Sequence, residues 1–239
     1  MKKSLLFFSG LAIAALISAC SMTNEVHFNK DYSGTFAMYV DMGGVMEIAK
    51  SFDPSMEDEA AGNFVDEQLS KEDQEKMIQN MNQIDGISNT AFGVIEESGI
   101  QFMFDFEDIE SLNNAFTALQ SELATQNDMM EGDIGGMPTM GTPQFTKNGK
   151  TISHGASFPM DEIPEEALSG LDEMGGDAMM EMMMGMMDYS VVLSFDRKIK
   201  SVTLEGADLI SQDKHVIKAR IDLANMIDGG AYKIDVKTN

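Results

Sequence analysis

The chain has 239 residues, with 40 acidic against 16 basic side chains, a formal charge of −24, 43% apolar residues, 23 methionines, 14 phenylalanines, one cysteine and no tryptophan. That length and apolar content suffice for one domain with a buried core. The negative field repels nucleic acid and anionic headgroups and favours cations or basic partners, and a single cysteine excludes an internal disulfide.

Met1 to Lys3 is a basic start, Leu5 to Ile17 is an almost unbroken apolar run, and Ile17-Ser18-Ala19-Cys20 closes it with small residues before the lone thiol. The run is about a dozen residues, the length of a signal-peptide core and short of the roughly 20 that cross a bilayer. This segment resembles a bacterial lipoprotein signal peptide with its lipobox. The resemblance implies loss of residues 1–19 and a diacylglyceryl thioether on Cys20, with no cofactor besides this covalent lipid. Its acyl chains, at about 0.8 kcal/mol per buried methylene, would hold the protein to a membrane. Ser21, rather than aspartate, favours the outer membrane under the sorting rule of many two-membrane bacteria. Losing Lys2 and Lys3 takes the charge from −24 to −26.

Residues 20–25 read as a lipidated tether, and 26–239 as a single domain. Val26 to Lys30 alternates as a strand, with His27 on its solvent face. Asp31-Tyr32-Ser33-Gly34 reads as a turn with glycine where positive φ is wanted, and Thr35 to Met42 as a second strand. The run Val26, Phe28, Asn29, Lys30, Asp31, Ser33, Gly34, Thr35 resembles the opening of a group of lipoproteins from Bacteroidota-type bacteria, a likeness that implies no activity. Ser70 to Asp73 looks like a capping box, ahead of a helix carrying Met77, Ile78, Met81 and Ile84 on one side and stopped at Asp85-Gly86. Ile87–Glu96 and Ile100–Phe106 predict a hairpin whose Phe102, Phe104 and Phe106 share a core face. Asp108 caps a helix with a stripe at Ile109, Leu112, Phe116, Leu119 and Leu123.

From residue 125 to 187 the chain becomes rich in methionine, glycine and acids, a low-complexity excursion read as flexible. Within it, Phe145–Phe158 predicts a hairpin turning at Asn148-Gly149, with His154 near its end. Four strands follow, at Tyr189–Phe195, Ile199–Glu205, Lys214–Leu223 and Tyr232–Val236. The expected fold is therefore α+β: an antiparallel sheet of hairpins with two or three helices on one face, plus the methionine-rich insert.

Eight of the fourteen residues from Met174 to Met187 are methionine. Thioethers are soft ligands that select Cu(I), which makes Met179, Met180, Met182, Met183, Met184, Met186 and Met187 candidate metal ligands. Methionine is also an adaptable filler of apolar surfaces and partner contacts. There is no Gly-x-Ser-x-Gly elbow, no phosphate-cradling glycine loop and no His-Glu-x-x-His, so the chain reads as a non-enzyme. The expectation is a lipid-anchored cell-envelope protein of the outer membrane with a non-catalytic binding or structural role and an envelope protein as partner. Its alternatives are copper handling through Met174–Met187, a glycan hydrolase, and a lipid-binding protein. The last would need a pocket lined by Phe102, Phe104, Leu112 and Phe116, which are expected to be packed core.

Overall fold

The computed structural model describes residues 20–41, 43, 71–95, 99–127, 143–157, 187–223 and 230–239. In chain order, β1 (Cys20–Phe28) and β2 (Gly34–Asp41) precede α1 (Lys71–Met81). Next come β3 (Ile87–Ile95), β4 (Gly99–Phe106) and α2 (Ile109–Asn127), then the hairpin β5 (Gln144–Asn148) and β6 (Thr151–Ser157). The C-terminal part supplies β7 (Met187–Phe195), β8 (Ile199–Glu205), β9 (Ala207–Gln212), β10 (Val216–Ile221) and β11 (Ala231–Thr238).

These strands form two sheets, one of seven in the order β3-β4-β2-β1-β7-β10-β9 and one of four in the order β5-β6-β11-β8. The expectation of one antiparallel sheet faced by two or three helices is therefore corrected. The molecule is mostly β, with two helices among its described residues, and the small sheet takes much of the place expected for helices. Period-two alternation locates a strand but does not say which sheet it joins. A further difference is that β1 pairs in parallel with β7, from Cys20 beside Met187 to Phe28 beside Phe195. Segment 21–25, expected as a tether, lies inside β1 and is in register with both β2 and β7.

The inner face of the large sheet carries Val26, Phe28, Phe36, Phe102, Phe104, Phe106, Val191, Leu193, Ile217 and Ile221, all buried. The small sheet covers its β1-β7-β10 part, where Phe28 stacks on Phe195 at 5.3 Å and meets Phe145 of β5 edge-on at 5.7 Å. The helices cover the rest, with Phe116 of α2 edge-on to Phe36 at 5.0 Å. Asp108 caps α2 as expected: Ser111 N–H donates to its carboxylate at 2.8 Å while Asp108 N–H donates to Ser111 Oγ at 3.1 Å. Those bonds from Ser111 hold the Asp108 pKa below the usual carboxylate value. Asn113, one turn further, donates to Phe145 C=O and accepts from Phe145 N–H, each at 2.8 Å, so its amide acts as a neighbouring strand for the edge of β5.

The positive φ expected at Gly34 falls instead on Tyr32, at 74°. Gly34 is needed for close approach, since a Cβ there would sit 1.7 Å from the His27 carbonyl oxygen.

Candidate functional site

Four buried polar side chains join the two sheets. Asn24 on β1 donates through Nδ2 to the Tyr189 hydroxyl on β7 at 2.8 Å. Tyr189 and Tyr232 share a hydrogen bond across the interlayer space, and the Tyr232 hydroxyl on β11 lies 2.9 Å from His154 Nε2 on β6. All four are buried, and His154 stacks on Phe145 at 4.1 Å. The Asn24 amide donates to the Tyr189 hydroxyl, and which of Tyr232 and His154 donates to the other follows the histidine tautomer.

Burial drives the His154 pKa down to about 3. An interaction with the Gln144 backbone offsets only part of this. Burial likewise raises Tyr189 and carries Tyr232 well above the usual phenol value. At neutral pH the row is uncharged throughout. A neutral, fully enclosed row aligns two sheets; it has no route to a solvent-borne substrate. The sequence reading placed His154 in a hairpin but missed its role, because its partners lie on strands distant in the chain.

The outer face of the large sheet holds the second constellation. His27 Nδ1 lies 2.9 Å from Ser194 Oγ, and His27 Nε2 lies 3.5 Å from Asp196 Oδ1. This has the order of nucleophile, base and orienting acid. The surroundings do not complete it. An acyl-transfer site needs unpaired donors for the developing oxyanion, whereas Phe195 N–H is bonded to His215 C=O and Asp196 N–H to Phe28 C=O. Ser194 also has a second acceptor, the Val26 carbonyl at 3.4 Å. His27 and Asp196 are 41% and 43% exposed, so no dry cleft strengthens the pair. His27 lies on the outer face, as expected, and His215 contacts the Phe195 carbonyl at 2.8 Å through Nδ1.

Of the residues singled out from sequence, Cys20 opens β1 and stands in register with Met187, which opens β7 and packs half-buried against the core. Met179, Met180, Met182, Met183, Met184 and Met186 lie outside the described residues. Phe102, Phe104, Leu112 and Phe116 are all buried in the core, as expected for packing. No group of three or more His, Cys, Asp or Glu suited to a metal ion occurs among the described residues. No described helix is long and apolar enough to cross a membrane.

No family model and no curated protein matches the chain. Among solved structures it is similar to the folded domain of LppM from Mycobacterium tuberculosis, at 9% identity and a TM-score of 0.38, covering 92% of this chain and 91% of that one. A fainter likeness, at 9% identity and a TM-score of 0.22, joins 92% of this chain to 79% of the Fcho1 mu homology domain from Danio rerio, solved with a bound Eps15 peptide.

Proposed function

We propose that the protein is a lipid-anchored component of the cell envelope, carried by Cys20, with a non-catalytic binding or structural role. The observation that carries the reading is the lipobox Ile17-Ser18-Ala19-Cys20, ending on the chain's only cysteine, at the residue where β1 begins. Lipid on that residue would be attached directly to a central strand of the seven-stranded sheet, with no slack between anchor and fold. The outer membrane is the destination favoured by Ser21. The test is incorporation of labelled palmitate in cells, with fractionation of the two membranes. The expected result is label in the outer-membrane fraction and none in Cys20→Ser; equal label in both proteins would overturn the reading.

A hydrolase is the second reading, and the Ser194–His27–Asp196 geometry is the observation in its favour. The engaged backbone donors and the open sheet face weigh against it. The expected outcome is that Ser194→Ala leaves p-nitrophenyl acetate turnover at the wild-type background; a loss of tenfold or more, with an unchanged melting temperature, would reinstate the enzyme.

A further inference from the structure

Six of the thirteen described lysines and arginines lie at one pole. Ladder register places Cys20 at one end of the sandwich, together with Asp41, Ser157, Met187, Ile221 and Ala231. The opposite end is made of the turns after β1, β5, β7 and β9, and backbone bonds knit these together: Ile199 N–H to Lys214 C=O, Thr238 N–H to Lys150 C=O, and Asn239 N–H to Lys198 C=O. Six of the chain's 16 bases lie there: Lys30, Lys147, Lys150, Arg197, Lys198 and Lys214. In a chain with 40 acids, none of the six has an aspartate or glutamate ion-pair partner among the described residues.

The centre of this pole is Tyr32, held in the left-handed region with its hydroxyl buried and unpartnered. Lys147 Nζ sits 4.2 Å from its ring centroid and the Arg197 guanidinium 5.5 Å. Arg197 also donates from Nε and Nη2 to Lys30 C=O, at 3.0 and 2.8 Å. A bulky residue at positive φ costs backbone energy, and such strain persists only where surrounding contacts over-determine it. Here those contacts fix two of the cations.

We infer that this basic pole is a docking surface for an acidic protein. Cations without an aspartate or glutamate partner, on an otherwise strongly anionic molecule, give a local field that selects a negatively charged partner and suppresses contact elsewhere. Three aspartates lie in these turns, held in place by their neighbours, and Glu107 and Asp108 follow β4 at the same end of the large sheet. Asp31 accepts from Ser33, Asp213 accepts from the N–H groups of His215 and Val216, and Asp196 faces His27. That mosaic disfavours a uniform phosphate surface, which would meet the three carboxylates as well, and fits a protein surface whose acids are placed one by one. The pole also points away from the anchoring membrane, a step that alone rests on the lipidation of Cys20.

The test uses the full chain purified in non-ionic detergent, so that it reads out whether or not Cys20 is lipidated. Binding is followed by fluorescence anisotropy with a labelled peptide of alternating glutamate and glycine, beside polyphosphate and phosphatidylglycerol vesicles. The triple variant Lys150→Gln, Lys198→Gln, Lys214→Gln removes exposed ammonium groups without an ion pair. The control Lys71→Gln, Lys76→Gln, Lys218→Gln removes equal charge elsewhere. Exposed charge contacts of this kind predict about a fivefold loss of peptide affinity in the first triple and little in the second. Preferential binding of polyphosphate or vesicles would overturn the inference in favour of a phosphate surface. No binding by any probe, or equal losses in the two triples, would overturn it outright.

Discussion

Tyr232 and His154 test the interior row from its two chemical sides. Tyr232→Phe keeps the ring but removes the hydroxyl that meets His154, leaving the buried His154 Nε2 without a partner. The expected cost is about 1–3 kcal/mol, read as a lower urea midpoint with an unchanged slope. His154 predicts an acid effect. Its folded pKa of about 3 lies below the ordinary histidine value of 6.5, so well above pH 6.5 it is neutral in both states and contributes no pH dependence. Below that, the unfolded chain takes up a proton that the fold refuses, and stability falls by about 1.4 kcal/mol per pH unit toward pH 3. His154→Phe retains the stacking on Phe145 and abolishes this share of the slope. Urea titrations at several pH values in that window should therefore show the variant losing less stability than wild type as the solution is acidified; parallel losses would contradict the buried, neutral histidine. None of this was legible at residue scale, since a buried and a solvent-facing histidine look alike in a strand. Tyr32 and Gly34 show the same limit: a turn was readable from composition, but which residue took the left-handed backbone depended on the His27 carbonyl packed against Gly34.

Asn113 is an element-scale device, a helix side chain completing the edge of a sheet. Asn113→Ala would leave both backbone groups of Phe145 unpaired at the seam between α2 and β5, and should cost about 1–3 kcal/mol. Amide exchange is the discriminating measurement, because Phe145 N–H should lose protection well before the amides of β1 and β7. At this scale the sequence was most informative. The Asp108 cap, the stripe through Phe116, the phenylalanine face of β4 and the β5–β6 hairpin all lie within local windows, and the structure holds each of them, with the hairpin turning one residue later than expected, at Gly149 and Lys150. Strand β9 escaped notice because Ala207–Gln212 lacks alternation. It is an edge strand whose Leu209 and Ile210 are both about half exposed, so neither face imposed a pattern. The division into two sheets escaped for a different reason. The chain passes between the sheets at several connections, one of them at Gly206, φ 61°, between β8 and β9, and such a turn looks like any hairpin turn in sequence.

At the scale of the whole molecule, the parallel pairing of β1 with β7 makes the start of the described chain part of the core. Asn24 and Tyr189, 165 positions apart, are joined by a buried hydrogen bond, and β1 is flanked on both sides by strands of the large sheet. A tether and a central strand respond oppositely to changes of length. Deleting residues 21–25 would shorten a tether without consequence for the fold. In β1 it removes the register of Ser21 to Glu25 with both neighbours and takes out Asn24, the end of the interior row. The expected result is loss of the cooperative thermal transition, or a fall in melting temperature of well over about 10 °C, given that each kcal/mol is worth only a few degrees in a domain of this size. A glycine-serine spacer inserted between Cys20 and Ser21 makes the complementary test, since it disturbs only the first rung beside Met187 and should leave the melting temperature within a few degrees. Deletion tolerated as well as insertion would mean that β1 contributes nothing before Val26, and the first five residues after the cysteine would return to being a linker. Deletion lethal to the fold and insertion harmless would establish that Cys20 and the core are joined by one continuous strand, so that force or displacement applied at Cys20 reaches the seam between the two sheets without an intervening spring.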